Sequence, residues 1–358
     1  MPAAIAEAER KRANALQAAD AAGCRAILAT QAPTVRWLLC GRGRPVSASG
    51  ADADYTLLLV DGGAYALFPD IESSRVEQDE KLQELGYEPV PFPWHEGRGE
   101  TVAGLLEGRQ PLAGEELEAA IAPSRRLLSI EERERYRRAG ADAAAAMVAC
   151  LGGLRPEQSE LEAAAELAHQ VRLRGFFPPV VLVAGEERQK VHRHPLPTAE
   201  RLGGHALLAI TAEREGLHVS LTRIVSFGPP PAELSRRVRA AAEIDAAVLA
   251  ASRPGRTLGD VFGDLADAYA ERRFPGEWRR HHQGGLTGYE GREVFATPHE
   301  ATVIPDSCAV AWNPSITGGA KSEDTALVTR EGVEVITRTP DLPELVLEGL
   351  VRPTIAEL

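Results

Sequence analysis

Three short segments of the chain carry side chains that suit proton transfer. The first contains His194, the second contains the pair His281 and His282, and the third contains the carboxylate of Glu323. A neutral imidazole near physiological pH takes up or releases a proton, so it suits both the activation of water and the protonation of a leaving group. Two glycines, Gly284-Gly285, follow the histidine pair and allow the backbone to approach a ligand closely.

The overall composition restricts the class of protein. The 358 residues carry a formal net charge of -12, which argues against a nucleic-acid groove and against an anionic membrane surface. No apolar run reaches the ~18 residues of a membrane span, and the charged, alanine-rich start of the chain is unlike a signal peptide. The four cysteines form no C-x-x-C pair and are predicted to be reduced thiols. We therefore expect a cytoplasmic protein.

The chain is long enough for two domains, because one domain usually takes roughly 100–200 residues. Residues 1–125 alternate helical and strand patterns, which indicates a small α/β domain with a hairpin turn at Asp61-Gly62-Gly63. The expected elements are helices at 3–22, 81–85 and 116–121 and strands at 25–30, 55–60 and 64–68. Residues 126–358 form the second predicted domain, which opens with a nearly continuous helix at 130–151.

The second domain contains an internal repeat. Arg155-Pro156 and Arg253-Pro254 lie 98 residues apart, and each precedes a helix-start pattern. Ser159 in the first copy and Thr257 in the second copy are each followed three residues later by an acidic residue. The strands expected after the repeats are 180–184, 206–210, 218–225, 301–304, 308–312, 324–329 and 333–337. This order favours an α+β arrangement, in which helices cover one face of an antiparallel sheet.

Five segments together carry a resemblance to a known family. They are Pro33–Gly41 with Trp37 at an aromatic position, Gly216–Arg223, His281–Leu286, Ala311–Pro314 and Glu323–Thr325. In these segments the chain resembles the creatinase/aminopeptidase family M24, which includes methionine aminopeptidase, aminopeptidase P, prolidase and creatinase. The resemblance covers nearly the whole chain. It implies a pita-bread fold, an α+β domain of two pseudo-symmetric halves, preceded here by a small N-terminal α/β domain.

Most metal ligands of that family's peptidases are replaced in this sequence. Those enzymes bind two metal ions through two Asp, one His and two Glu, and the corresponding positions here are Ala209, Ser220, His282, Asn313 and Glu323. Only His282 and Glu323 keep the ligand type. Divalent ions need several anionic oxygens or imidazoles in fixed geometry. The remaining ligands therefore provide too little binding free energy to offset the cost of removing water from two metal ions. We predict no dinuclear metal site and no cofactor.

Creatinase is the precedent in this family for C–N hydrolysis without a metal ion, and it uses a histidine as general acid and base. The position of that histidine aligns with His194. The catalytic residues that the resemblance implies are His194, His282, Glu323 and Tyr289. Without nearby cations the pKa of a buried Glu323 is expected to rise. The alternative is a salt bridge from Glu323 to Arg223 or Lys321.

The implied substrate-binding residues surround this catalytic set. They are His218, His281, Asn313, Arg292, Ser220 and Arg223. Arg292 lies in a Gly-Arg-Glu stretch similar to one in creatinase, and its guanidinium suits bidentate binding of a substrate carboxylate. An ion pair of Arg292 with Glu290 or Glu293 is the alternative.

The resemblance implies a metal-independent hydrolase or lyase that acts on a C–N bond, an amide or amidine, of a small amino-acid-derived or peptide-like substrate. Two other functions fit the sequence. One is a non-catalytic pseudo-peptidase that binds a ligand or partner in the old cleft. The other is an Xaa-Pro-type peptidase with an altered metal site built from His282, Glu323 and another histidine. Family members often pair, so a homodimer is expected.

Overall fold

The computed structural model describes residues 2–46 and 52–358. The chain separates into two compact units, Met1–Ser129 and Ile130–Leu358. Residue 125, where we expected the division, lies in the last turn of a helix that ends at Arg126. The helix that opens the second unit begins at Ile130 and ends at Leu151, as the sequence predicts.

The first unit is built on a mixed five-stranded sheet. Its elements are α1 (Pro2–Ala21), β1 (Ala26–Gln31), α2 (Ala32–Leu38), β2 (Asp52–Val60), β3 (Gly63–Pro69), α3 (Ser73–Arg75), β4 (Glu88–Phe92), α4 (Gly99–Leu106), β5 (Leu112–Ala113) and α5 (Gly114–Arg126). The strand order is β4-β3-β2-β1-β5. The expected hairpin joins β2 to β3 through Asp61 and Gly62, whose φ angles are 51° and 79°. The helix expected at 81–85 is a short 3₁₀ helix, Leu82–Leu85.

The second unit alternates pairs of helices with groups of strands. Its elements are α6 (Ile130–Leu151), α7 (Glu160–Arg172), β6 (Phe177–Gly185), α8 (Glu186–Gln189), β7 (His205–Arg214), β8 (Leu217–Ser226), α9 (Ala232–Ala251), α10 (Leu258–Glu271), β9 (Gly284–Thr287), β10 (Val294–Phe295), β11 (Cys308–Trp312), β12 (Ser315–Ile316), β13 (Ala320–Lys321), β14 (Asp324–Thr329), β15 (Gly332–Val335), β16 (Glu344–Leu347), β17 (Leu350–Pro353) and β18 (Ala356–Glu357).

The helix starts of the repeat have the predicted caps. The Ser159 hydroxyl accepts a hydrogen bond from the Glu162 amide at 3.2 Å, and the Glu162 carboxylate accepts one from the Ser159 amide at 2.7 Å. In the second copy the Thr257 hydroxyl accepts from the Asp260 amide at 3.0 Å. Each cap satisfies a backbone N–H that the first helical turn leaves without a partner.

In both copies of the repeat, the first residue of the helix also forms a backbone hydrogen bond with a loop that comes later in the sequence. The Glu160 amide donates to the Glu200 carbonyl at 2.9 Å, and the Leu258 amide donates to the Thr302 carbonyl at 2.9 Å. This shared backbone pattern is independent of the caps and supports an internal duplication.

The structure corrects one expectation about the second unit and adds one helix that was not predicted. The strand expected at 301–304 is only an isolated bridge between Thr257 and Val303, because that segment is the loop that anchors the start of α10. The long helix α9 had no counterpart among the predicted elements. Its N-cap is Pro231, which provides no side-chain cap, so the usual start signal is missing.

The strands form two main sheets, with orders β18-β8-β7-β6 and β10-β9-β11-β14-β15, and two separate two-stranded sheets, β12-β13 and β16-β17. The pairing is antiparallel except for the short parallel pair of β18 with β8. The two main sheets meet where the Thr222 amide of β8 donates to the Glu323 carbonyl just before β14, at 3.0 Å. This junction places Glu323 between the two halves of the repeat.

Helix α9 packs its apolar face into the main core of the second unit. Leu234, Val238 and Ile244 are buried there against α10 and the second sheet. In the parts of the chain that the structure describes, no helix combines the length and the apolar character required to cross a membrane.

Candidate active site

A cavity of about 460 Å³ opens in the second unit, beside the junction of the two sheets. Strands β6, β7 and β8 supply one side of it, and the segment around Arg292 together with 313–323 supplies the other. The lining residues are Pro179, Val180, Leu182, His194, Ala209, Ile210, Thr211, His218, His282, Glu290, Gly291, Arg292, Phe295, Asn313, Lys321 and Glu323. The cavity therefore joins an apolar wall to a group of polar and ionisable side chains.

The carboxylate of Glu323 is the centre of this polar group. Lys321 Nζ lies 2.8 Å from Oε2, and Arg292 Nη2 lies 3.1 Å from Oε1. The Thr222 hydroxyl donates a further hydrogen bond to Oε2 at 2.7 Å. All four residues are buried or nearly so, and both carboxylate oxygens are occupied. Such charge-assisted contacts fix the side chain firmly in place.

The pKa of Glu323 is lowered, not raised as the sequence analysis expected. Burial alone raises the pKa of this carboxyl, but the charges of Lys321 and Arg292 outweigh burial and lower it to about 2. The expectation was wrong because it assumed a site without cations. Of the two alternatives considered, the salt bridge to Lys321 is present, whereas Arg223 pairs with Asp324.

Three imidazoles form a second group beside Glu323. The Nε2 atoms of His194 and His281 are 2.9 Å apart, so one ring must donate a hydrogen bond to the other. The rings of His281 and His282 stack with centroids 4.3 Å apart. His194 and His282 keep part of their surface exposed at the mouth of the cavity. Partial removal from water, reinforced by nearby positive charges, lowers the pKa of His194 and lowers the pKa of His281 to about 2 and that of His282 to about 4. The cluster is therefore neutral at physiological pH.

The structure brings most of the predicted site residues to this one cavity. The predicted residues that line it are His194, His218, His282, Arg292, Asn313 and Glu323. His281 joins them through its contact with His194. Arg292 pairs with Glu323 and not with Glu290 or Glu293, the partners that the sequence analysis considered.

Besides His281, three predicted residues lie outside the cavity lining. The Tyr289 hydroxyl is buried and donates to Glu132 Oε1 at 2.8 Å, which directs it away from the cavity. The Ser220 hydroxyl shares a 2.9 Å hydrogen bond with Thr211. Arg223 is buried, with its guanidinium on Asp324 at 2.9 Å. These three side chains support the walls of the site from behind.

A buried ionic network lies beneath Glu323. Arg352, on strand β17, contacts Asp324 at 2.8 Å and also pairs with Asp245 of α9. Arg223 holds the other oxygen of Asp324. Both arginines are almost fully buried, so their charges depend on these carboxylates. The network fixes Asp324, the residue that follows Glu323.

The sequence analysis named Lys321 only as an alternative salt-bridge partner of Glu323 and not as a residue of the cavity, although a signal for its position was present. Residues two apart on an extended segment point to the same face. Lys321 and Glu323 have this spacing and lie just before β14, so the strand period places the ammonium beside the carboxylate. The apolar wall, formed by Val180, Leu182 and Phe295 among others, had no local signal, because these residues belong to distant strands.

Comparison with known proteins identifies the family. A family model described as metallopeptidase family M24 matches residues 134–330. An uncharacterised peptidase of Staphylococcus aureus (strain MRSA252) is 23% identical over 244 residues, which are 65% of this chain and 68% of that protein. The chain belongs to the M24 metallopeptidase family.

Solved structures show the fold. The dipeptidase PepE from Mycobacterium ulcerans has a TM-score of 0.75 at 18% identity, covering 99% of each chain. The Xaa-Pro dipeptidase from Bacillus anthracis has a TM-score of 0.74 at 21% identity, covering 93% of this chain and 98% of that one. The predicted pita-bread fold is thereby confirmed.

The residues of this site do not fit the pair of metal ions that the family implies. Ala209 has no donor atom, and Ser220 and Asn313 are neutral. The remaining carboxylate, Glu323, already has both oxygens bound by two cationic side chains and a hydroxyl. Two dications at this place would lie against the positive charges of Lys321 and Arg292.

We expect Glu323→Ala to lower the free energy of unfolding by about 3–5 kcal/mol, because it leaves two buried cations without their carboxylate. Glu323→Gln keeps the volume and should cost less. Urea unfolding, followed by far-ultraviolet circular dichroism, measures both effects.

The matched control is Glu233→Ala on helix α9. Glu233 also contacts two cations, Arg236 and Arg237, but on an exposed surface. Its removal should change stability little. Equal effects of Glu323→Ala and Glu233→Ala would contradict the role assigned to burial.

Proposed function

We propose that this protein is a hydrolase that cleaves a C–N bond of a small amino-acid-derived or peptide-like substrate without a divalent metal ion. The observation that carries this proposal is the state of Glu323. Its carboxylate is bound by Lys321, Arg292 and Thr222, so side-chain cations already occupy the one carboxylate that the resemblance assigns to a metal ligand. The reaction then depends on groups of the protein itself.

His194 is the proposed general acid and base. It lines the cavity, and its pKa is lowered by burial and by Lys321, so the ring is neutral and able to accept a proton from water. The 2.9 Å contact with His281 fixes the orientation of the His194 ring and offers a route for the proton between the two rings. His282 packs beside them, with ring centroids 5.3 Å from His194.

The substrate chemistry follows from the two sides of the cavity. Val180, Leu182 and Phe295 offer an apolar surface to a side chain or ring of the substrate. On the polar side, Asn313 is buried and lines the cavity, and its Oδ1 has no partner among residues 2–46 and 52–358. An amide group in this position suits hydrogen bonding to an amide or amine of a ligand. Arg292 is the proposed partner of a substrate carboxylate.

A second candidate function is that of a peptidase with one metal ion. The observation that favours it is the imidazole cluster, because one nitrogen from each of His194, His281 and His282 lies within 4.8 Å of the others. Three histidines and an open position are a common zinc arrangement. Against it, Lys321 and Arg292 both lower the pKa of His282 by their charge, and the same field opposes a dication.

We expect hydrolysis to survive exhaustive chelation. Purified protein, dialysed against EDTA and 1,10-phenanthroline, should turn over Ala-Pro, N-acetylalanine or creatine as fast as untreated protein, because no proposed step uses a metal ion. Release of amine or amino acid measures the rate, and elemental analysis measures residual metal.

Three outcomes of the chelation experiment are separable. Activity that disappears and returns with manganese, cobalt or zinc would establish the metal-dependent candidate instead. Failure to hydrolyse any member of the panel, combined with tight binding of a peptide, would favour the non-catalytic function. Unchanged turnover at negligible metal content supports the proposal.

We expect His194→Gln to lower kcat/KM by about 10²–10⁴-fold, the usual contribution of a general acid–base group. His192→Gln is the matched control, because His192 is exposed in the same segment and does not line the cavity. Equal activity of the two variants would remove His194 from the mechanism.

The pH profile should carry the signature of a neutral histidine base. The base works when it is deprotonated, so activity is present above its pKa and lost as pH falls through it. Because burial and Lys321 lower the pKa of His194 from 6.5, the acid limb of kcat/KM should lie below pH 6.5. An acid limb above pH 6.5 would contradict the assignment.

A further inference from the structure

Lys321 is a buried cation with unused hydrogen-bond donors. Its side chain is almost wholly removed from solvent, yet it lines the cavity. An ammonium group has three N–H donors. In the part of the chain that the structure describes, the one partner recorded for Nζ is Glu323 Oε2, at 2.8 Å. Donors of this group therefore remain for a ligand in the cavity.

The local charges leave a positive excess beside Glu323. Lys321 and Arg292 both contact the one carboxylate. Buried charges are normally paired, and the excess here borders a cavity that admits ligand. The structure thus suits a ligand or reaction intermediate that carries, or develops, negative charge at this point.

The hydrogen-bond donors of Arg292 are less able than those of Lys321 to reorient toward negative charge that forms on a bound substrate. Its Nη1 donates to the Gly291 carbonyl at 2.6 Å and lies 3.5 Å from the Ser220 hydroxyl, and its Nη2 is held by Glu323. The guanidinium is planar and fixed at these points, whereas an ammonium at the end of a flexible chain reorients its donors easily.

We propose that the ammonium of Lys321 is a catalytic group that stabilises the negative charge formed on the substrate carbonyl oxygen. This inference rests on the proposed hydrolase function. Glu323 holds the ammonium in position at 2.8 Å, and the excess positive charge of the Lys321–Glu323–Arg292 group supplies the electrostatic effect that the family's metal ions would otherwise provide.

The step balances with water and substrate alone. The oxygen of water forms a bond to the carbonyl carbon as His194 takes the water proton. The π electrons of the carbonyl move to its oxygen, which becomes an oxyanion against Lys321. When the C–N bond breaks, His194 returns the proton to the leaving nitrogen. The products are a carboxylic acid and an amine, and both protein groups regain their starting charge.

The test uses Lys321→Met and Lys321→Arg in the full chain. Methionine approximates the length of the lysine stem without the charge, and Glu323 keeps Arg292 and Thr222 as partners in either variant. With Ala-Pro or N-acetylalanine as substrate, Lys321→Met should lower kcat by about 10²–10³-fold, the range for loss of one oxyanion-stabilising donor. KM should change by less than about threefold, because the charge acts in the transition state. Lys321→Arg should recover part of kcat.

The matched control is Lys190→Met. Lys190 is on the surface of the same unit, where its ammonium pairs with Glu187 at 2.7 Å, and it does not line this cavity. Its variant should retain full activity. Thermal unfolding of all variants distinguishes an effect of removing the Lys321 ammonium from an effect of unfolding the protein.

A binding measurement tests the inference without turnover. The probe is the phosphinic analogue of Ala-Pro, in which a tetrahedral, anionic phosphorus replaces the scissile carbonyl. By calorimetry, Lys321→Met should lose at least tenfold in affinity for this probe and little for Ala-Pro itself. Equal probe affinity in native and Lys321→Met protein, or no binding to either, would overturn the inference.

The two hypotheses fail in different ways. Loss of activity on chelation contradicts the proposed metal-free hydrolysis, whatever Lys321 does. A folded Lys321→Met protein with native kcat contradicts the role of Lys321 and leaves the chelation result and His194 unaffected.

Discussion

The contact of one carboxylate with two cations determines the character of this site. Glu323 lies at the junction of two sheets, where a backbone hydrogen bond from Thr222 joins the halves of the repeat. Its oxygens are shared by Lys321, Arg292 and the Thr222 hydroxyl. A carboxylate neutralised in this way is a poor ligand for a metal ion and a poor base. It acts instead as an anchor that orders the positive groups beside the cavity.

The neutral histidines complement this anchor. Positive charge near them, together with burial, disfavours the imidazolium form, so the rings remain available as proton acceptors. The apolar wall of the cavity strengthens each electrostatic effect by limiting water. A fold of the M24 metallopeptidase family thus presents a cavity in which buried side-chain charges lie beside neutral imidazoles. Of the five positions that the sequence analysis compared with metal ligands of the family, His282 and Glu323 keep the ligand type.

Sequence patterns anticipated features that depend on short-range chemistry. The caps at Ser159 and Thr257 follow from hydroxyl and acid spacing, and the structure has both. Helix α9 was not predicted from the sequence, because its N-cap residue is a proline and no side chain caps its first turn. Among the site residues, Tyr289 could not be assigned correctly from its neighbours, since its partner is Glu132, 157 residues earlier.

The error over Glu323 has in part the same origin. Its pKa is lowered first by Lys321, two residues away, whose effect on the pKa was not weighed, and then by Arg292, which lies 31 residues away in the sequence. Family motifs located the carboxylate but carried no information about the cations that would replace missing ligands. The motif positions at 209, 282, 313 and 323 do meet at one cavity, so the alignment identified the place even where it gave the wrong charge state.

The buried ionic network beside Glu323 is complete only when Arg352 is present, and Arg352 follows both of its acidic partners in the sequence. This arginine reaches Asp245 and Asp324 from strand β17, near the end of the sequence, and has almost no contact with solvent. During synthesis, Asp245 emerges before Arg352, the cation that pairs with it, whereas Asp324 already has Arg223 as a partner earlier in the chain. The complete network of Arg223, Asp324, Arg352 and Asp245 therefore forms only after β17 has left the ribosome. The pairing of Arg352 with Asp324, the residue next to Glu323, is thus among the last contacts that a growing chain can make.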